Sequence, residues 1–576
     1  MKNNGDGQLN DGQPTALSNQ ALGADKAADG VTPVLFGTVY DAFCRSVVQW
    51  PDNIFIDVPS QTASAYRIPS ESISYARAKK TVDRWRGLYR NAGYGPGHRV
   101  GLLVENRPDF FWHWLALNSL GVSLVPINAD FQVGEIAYLL ENSEALLVVS
   151  LPERHERITQ AAVNASLDVA VMAPDDEVPT ALRPAPGSGD PDVATECALL
   201  YTSGTTGQPK GCILPNEYFL YGGVWYRDIG GYLSLQEGKE RLLSPLPLVH
   251  MNAMATSSMV MLITGGTIVL LDRFHPSSWW HTVRESQASI VHYLGVMPAM
   301  LIGAPESEQD KDHQVRFGFG AGVDRRHHAA FEARFGFPLV EGWAMTETGA
   351  GGCIMATVDP RQVGTNSFGQ PPAGVAWRLV NDQNEDAAVE EAGELLVRWA
   401  GSDPMFGYFK GYLKKAEATA QAWEGGWFHT GDLVRRDEAG HLHFVDRKKN
   451  VIRRSGENIS AVEVEGVLMQ HPAVFGVGVA PVPDPVRGDE VMACVVVGDG
   501  YAGSESLARE IADHCRASLA YYKAPGYVAF VPALPLTATQ KVQRGGLRDL
   551  AQACVDGSGA QAATSCHDLR ELKRRA

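Results

Sequence analysis

The segment Tyr201–Gly211 reads YTSGTTGQPKG and gathers more phosphate-binding chemistry than any other part of the chain. Thr202, Ser203, Thr205 and Thr206 bring hydroxyls, Gly204 and Gly207 bring bare backbone, and Lys210 ends the run with a positive charge. N–H groups and hydroxyls in such a loop can wrap phosphate oxygens while the lysine adds a point charge. It is not a Walker loop, because Pro209 stands where the second glycine would be and Gly211 where Ser or Thr would be. A second glycine run, Gly318-Phe319-Gly320-Ala321-Gly322, lacks the spacing and the following acidic residue of a dinucleotide fingerprint. His327-His328 and the His441/His443 pair lack partner ligands at metal-binding spacing. The chemistry expected is therefore capture of a small phosphate compound in a cleft.

These residues need elements to hold them. Over residues 98–150, short apolar runs (RVGLLV, VSLVPI, ALLVVS) alternate with helical spacing (PDFFWHWLALNSLG, QVGEIAYLLENSE), which predicts right-handed crossovers and a parallel sheet. Similar alternation recurs from about 240 to 345. From Leu242 to Leu271 there is no Asp, Glu, Lys or Arg. Pro245, Pro247, His250, Asn252 and Gly265-Gly266 interrupt the run, so it predicts a buried helix and strand and no integral membrane segment. Residues 181–194 (ALRPAPGSGDPDVA) read as a linker or exposed loop. After Asp446 the units become smaller: helices at SAVEVEGVLMQ and SLAREIADHCRASLA, strands at VFGVGVAPV and EVMACVVVG. The expected organisation is a disordered tail over 1–32, a large N-terminal domain over 33–446, a compact α+β domain over 447–550 and a loose tail over 551–576.

The 576 residues carry a formal charge of −16, so the far field repels nucleic acid and anionic membranes. Eight scattered cysteines without a CxxC pair, and an N-terminus without an apolar core, suit a reduced cytoplasmic protein. A homodimer is left open.

YTSGTTGQPKG resembles the signature of the adenylate-forming superfamily: acyl-CoA synthetases, adenylation domains of peptide synthetases and beetle luciferases. Further segments resemble that family's signatures in the same order. They are LSPLPLVHMNAM (243–254), EGWAMTETG (341–349), GWFHTGDL (426–433), FVDRKKNVIRRSGENISAVEVE (444–465) and LPLTATQKVQRGGL (534–547). The likeness spans roughly residues 35 to 550, and the hinge segment with its following HPAV is most similar to the carnitine/crotonobetaine–CoA ligase branch. The fold implied is α/β: a large N-terminal domain with parallel-sheet αβαβα layers, and a smaller mobile α+β C-terminal lid.

The resemblance implies an ATP-dependent carboxylic acid–CoA ligase that forms an acyl adenylate, releases pyrophosphate and then acylates the CoA thiol. Two anions must meet in the first step, so positive charge and orientation carry the rate. Lys541 is implied to bridge carboxylate and α-phosphate, and Glu347 with Thr206 to bind Mg²⁺. Gly320, Ala321 and Gly322 are implied to let backbone approach adenine, with Trp343 stacking on it beside Thr346. Asp432 and Arg447 would hold the ribose. Gly456 would line the pantetheine channel, Tyr522 would stack on the CoA adenine, and Lys449 would be the hinge. His250, alone in its charge-free run, would gate the acyl pocket. Segments 218–226 and 293–301 would line that pocket, and their apolar, aromatic composition favours a neutral apolar acid over a cationic one. The chief alternative is a standalone adenylation enzyme that loads a carrier-protein thiol.

Overall fold

A computed structural model describes residues 37–202, 209–454, 457–484, 487–519, 521–536, 542–557 and 565–573, without the side chains of Lys449, Arg453, Glu457 and Asn458. The expected N-terminal tail, Ser203–Gly207 of the phosphate loop, Gly456 and Lys541 lie outside the described residues.

The alternating pattern near the N-terminus builds a six-stranded sheet ordered Ala170–Met172, Leu147–Ser150, Arg99–Leu103, Ser123–Pro126, Glu196–Thr202 and Lys210–Pro215. Its strands run parallel except for the last, which returns as a hairpin. Residues 181–194 join two strands of this one sheet and run over its surface, so they are a loop inside a domain. An eight-stranded sheet lies beside it, its central strands Leu339–Trp343, Phe317–Ala321, Ile290–Leu294, Arg241–Ser244 and Thr267–Leu270 all parallel.

Helices pack against these sheets according to their sequences. Pro108–Asn118 starts with Pro at its first position and Asp109 in its first turn, both of which suit a helix N-terminus. Apolar residues surround it on all sides, and all but Asp109 are buried. The charge-free run folds as expected. A π-helical turn, Asn252–Ser257, leads into the helix Ser258–Thr264 and then the strand Thr267–Leu270, and nearly every residue is buried.

A four-stranded antiparallel sheet follows: Val375–Val380, Ala392–Trp399, Phe428–Arg436 and Leu442–Arg447. A 3₁₀ turn, Lys448–Asn450, then leads into a last sheet with its own apolar core. Its strands are Glu457–Ile459, Ile452–Arg454, Gly488–Val497, Tyr527–Phe530 and Ser565–Asp568, with Val474–Asp484 also paired to Gly488–Val497.

The expected loose tail over 551–576 is corrected here. Residues up to Val555 belong to the helix Arg544–Val555, and Ser565–Asp568 adds an antiparallel edge strand to Tyr527–Phe530. Just beyond it, Lys573 is 2% exposed and pairs with the fully buried Glu490, which also accepts from Arg454 Nε at 2.9 Å. A polar terminal sequence is thus fixed by an open sheet edge and a buried charge pair, neither of which is visible in its composition. Among the described residues no helix is long and apolar enough to cross a membrane.

Candidate active site

Thr202 and Lys210 are cross-strand partners at the mouth of the hairpin Glu196–Thr202/Lys210–Pro215, so the phosphate loop leaves and re-enters one ladder. Tyr138 Oη fixes the returning side by donating to the Pro209 carbonyl at 2.8 Å. Thr202 Oγ1 donates to Glu347 Oε1 at 3.3 Å, and Glu347 is 6% exposed. Tyr412 Oη donates to the same carboxylate oxygen at 3.0 Å, and Lys210 Nζ lies 4.6 Å from the centre of the Tyr412 ring. Glu347 sits in a tight turn after the strand Leu339–Trp343. Tyr218 Oη donates to the Thr346 carbonyl at 2.8 Å, and Phe409 N donates to the Glu347 carbonyl at 3.0 Å.

The strand leading into that turn carries the second group. Trp343 Nε1 donates to Asp432 Oδ2 at 2.8 Å, and Arg447 Nε lies 2.6 Å from Asp432 Oδ1. Asp432 and Arg447 are register partners on adjacent strands. Gly431, at φ +67°, makes the bend before Asp432, and its N–H donates to Glu394 Oε1 at 3.2 Å. Glu394 also holds Lys448 Nζ at 2.9 Å, which ties this bend to the turn between the sheets.

Gly320, Ala321 and Gly322 close the strand next to Leu339–Trp343. A Cβ on Gly320 would lie 2.3 Å from the Tyr293 carbonyl, so only glycine fits there. Gly322, at φ +80°, donates its N–H to Glu341 Oε2 at 2.9 Å, and Tyr293 Oη donates to Glu341 Oε1 at 2.8 Å. Burial pushes the Glu341 carboxyl above its usual range.

The histidines divide unexpectedly. His250 is exposed at the head of the π-helical turn, its N–H bonded to the Pro247 carbonyl at 3.0 Å. The buried histidine is His292. It receives Tyr226 Oη at 3.0 Å on Nε2 and faces Ser257 Oγ at 2.8 Å and Asn252 Oδ1 at 2.9 Å with Nδ1. Since Ser257 Oγ donates to the Asn252 carbonyl, the network assigns the proton to Nδ1. Burial holds this ring neutral, its pKa pushed down to about 3.

Tyr221 and Trp225, from the first predicted pocket segment, border a cavity of about 790 Å³ together with Cys353, Met355 and Trp399. The second segment ends the strand Ile290–Leu294 and enters the helix Val296–Ile302, which exposes Val296 and Met300.

Thus Thr202, Lys210, Thr346 and Glu347 come together, as do Trp343, Asp432 and Arg447, and one strand and its turn join the two groups. Gly320–Gly322 lies alongside. Tyr522, half-buried against the core of the last sheet, belongs to a different element set beyond the turn at Lys449. Sequence reasoning missed Tyr412, Glu341, Glu394 and Asp446. Asp446 Oδ2 accepts from Ser460 Oγ at 3.0 Å and from Val462 N at 3.2 Å, binding the last large-domain strand to the next helix. Glu341 and Asp446 lie inside the EGWAMTETG and FVDRKKN segments, but nothing in those segments shows their partners, and no local motif marks Tyr412 or Glu394.

The carboxylate of Glu347 and the hydroxyl of Thr202 are hard oxygen donors of the kind Mg²⁺ takes alongside phosphate oxygens. Among the described residues, no group of three or more His, Cys, Asp or Glu could hold a metal ion by itself.

Residues 45–413 match the AMP-binding enzyme family and residues 463–541 match the AMP-binding enzyme C-terminal domain. A crotonobetaine/carnitine–CoA ligase of Citrobacter koseri is 30% identical over 496 residues, covering 82% of this chain and 93% of the relative. A ligase of the same name from Escherichia coli is 29% identical over 494 residues, with the same coverage. The fold matches that of the o-succinylbenzoate CoA synthetase of Bacillus subtilis bound to its acyl adenylate. The TM-score is 0.75 at 23% identity, over 90% of this chain and 99% of that one. An anthranilate CoA ligase bound to anthranoyl-AMP gives a TM-score of 0.76 at 23% identity, over 91% and 99%. With two ordered domain matches and a relative aligned along most of both chains, this chain belongs to the AMP-binding enzyme family.

Proposed function

We propose that the protein is an ATP-dependent carboxylic acid–CoA ligase working through an acyl adenylate. The observation that carries this reading is the single strand and turn, Leu339–Glu347, which joins the phosphate-loop group to Trp343, Asp432 and Arg447. In this reading the hairpin loop with Lys210 receives the β- and γ-phosphates, Asp432 and Arg447 take the ribose, and Trp343 takes the adenine. Glu347 and Thr206, with Thr202, would hold Mg²⁺, which when bound offsets phosphate charge. The substrate carboxylate attacks the α-phosphorus and pyrophosphate leaves, with Lys541 bridging the two anions. The CoA thiol then attacks the acyl carbonyl and AMP leaves, after the last domain has turned about Lys449 to bring Gly456 and Tyr522 to the cleft. In this reading His250 gates the acid's entry. Eight free thiols suit a cytoplasmic setting.

A cation-bearing acid is favoured over a neutral one by the cavity walls. Tyr221, Trp225 and Trp399 are aromatic residues of the cavity lining, which also includes Asp228 and Asp359 and no Lys or Arg. Asp228 pairs with Arg227, which offsets its charge, so Asp359, which accepts from Tyr232, carries most of this argument. The relatives named for crotonobetaine and carnitine support this reading.

The test is acid-dependent exchange of pyrophosphate into ATP, followed by thioester and AMP formation on addition of CoA. Comparing 4-(trimethylammonio)butanoate with its carbon isostere 5,5-dimethylhexanoate separates the cationic from the apolar substrate. Exchange without CoA-dependent thioester would instead indicate a carrier-protein thiol as acceptor.

A further inference from the structure

Tyr412 is bound to both halves of the phosphate-loop group, although neither half adjoins it in sequence. Its backbone rides on the strand that carries Lys210. Lys410 N donates to the Ile213 carbonyl at 2.8 Å, Ile213 N to the Gly411 carbonyl at 3.0 Å, and Leu413 N to the Gly211 carbonyl at 2.8 Å. Cys212 and Tyr412 form a bridge pair at the centre of this stitch. The side chain then spans the gap between two functional groups. The hydroxyl meets Glu347 Oε1 at 3.0 Å, and the ring face lies 4.6 Å from Lys210 Nζ.

Both contacts limit motion where charge must be placed accurately. An exposed lysine has many rotamers, and an aromatic face attracts its ammonium and narrows that set. A carboxylate with a phenol donor on one oxygen cannot rotate freely. Thr202 donates to the same oxygen, so two hydroxyls from different elements define the orientation of one carboxylate.

We propose that Tyr412 is a positioning residue for nucleotide capture, its hydroxyl orienting Glu347 while its ring seats Lys210. This rests on the nucleotide reading given above, in which Glu347 serves the divalent ion and Lys210 the phosphates.

The experiment is calorimetric titration of ATP into the full-length protein, in Mg²⁺ and separately in EDTA. It compares wild type, Tyr412→Phe, Tyr412→Leu, Glu347→Gln and the Glu347→Gln/Tyr412→Phe double variant. Tyr412→Phe keeps the ring but removes the donor, so the Kd in Mg²⁺ should rise about five-fold while the Kd in EDTA stays within about two-fold. Tyr412→Leu should weaken binding in EDTA as well, because Lys210 loses its seat. The double variant should bind no more weakly than Glu347→Gln alone. A Tyr412→Phe protein that binds like wild type while Glu347→Gln loses the Mg²⁺-dependent gain overturns the proposal. Equal weakening in Mg²⁺ and EDTA, with a lowered melting temperature, reduces Tyr412 to packing and also overturns it. If Glu347→Gln itself keeps the full Mg²⁺-dependent gain, the assignment of Glu347 fails first and the proposal falls with it.

Discussion

The indole N–H of Trp343 donates to Asp432 Oδ2 at 2.8 Å, while Arg447 closes on the other oxygen at 2.6 Å. The ring proposed for adenine is therefore mechanically joined to the carboxylate proposed for ribose, and nucleotide recognition should respond to the indole donor as well as to its π face. Trp343→Phe keeps an aromatic surface and removes the donor. It should raise KM for ATP about ten-fold or more, the size of one hydrogen bond to a carboxylate, and leave KM for the acid unchanged. Steady-state kinetics with each substrate varied in turn checks this; an unchanged KM for ATP refutes it.

Lys541 is proposed to act at the encounter of carboxylate and ATP. Lys541→Ala should slow adenylation by about 10³, roughly 4 kcal/mol of barrier, and spare thiolysis of a supplied acyl adenylate. Equal loss of both half-reactions in a folded protein rejects the role.

The turn Lys448–Asn450 separates two sheets with separate cores, and Asp446 bonds across it to Ser460 and Val462. A rotation about Lys449 has to remake these bonds, so fixing φ there should favour one lid position. Lys449→Pro is expected to form acyl adenylate in a single turnover and to lose most thioester formation. Chasing labelled ATP with and without CoA gives the answer; a wild-type thioester rate means the pivot lies elsewhere.

Two buried histidines make acid stability predictable in sign. His113 accepts from Tyr89 Oη at 2.8 Å and faces the Pro174 carbonyl at 3.2 Å, and burial pushes its pKa down to about 3, as it does for His292. Both rings are neutral in the folded protein, whereas in the unfolded chain they take up protons near pH 6.5. The unfolded state thus binds more protons between pH 6.5 and 3, and stability is full above pH 6.5 and lost as pH falls through that window. Each ring should cost about 1.4 kcal/mol at pH 5.5. Denaturant titrations of the large domain at pH 7.5 and 5.5 should show a smaller pH effect in His113→Gln by about that amount. An equal pH effect in variant and wild type counts against the assignment.

Local rules were legible in the sequence. Apolar periods placed the strands and helices between Arg99 and Ser150, and the charge-free run from Leu242 gave its helix and strand, because burial pattern and turn residues act over a few positions. The ordered motifs indicated the family for the same reason: YTSGTTGQPKG and EGWAMTETG each hold their chemistry within about ten residues. What the tertiary structure decided was every relationship whose partners are far apart in sequence. His250 is exposed and His292 buried because the π-helical turn presents its Asn252 and Ser257 side chains to the strand behind it. Tyr412 reaches Glu347 and Lys210 only because the loop between Ala392–Trp399 and Phe428–Arg436 of the four-stranded sheet is stitched onto the hairpin of the six-stranded one. The terminal strand Ser565–Asp568 exists because Tyr527–Phe530 left an edge open and the buried Glu490 required partner charges. Charge pairing and edge pairing depend on where surfaces meet, and sequence spacing carries no record of that.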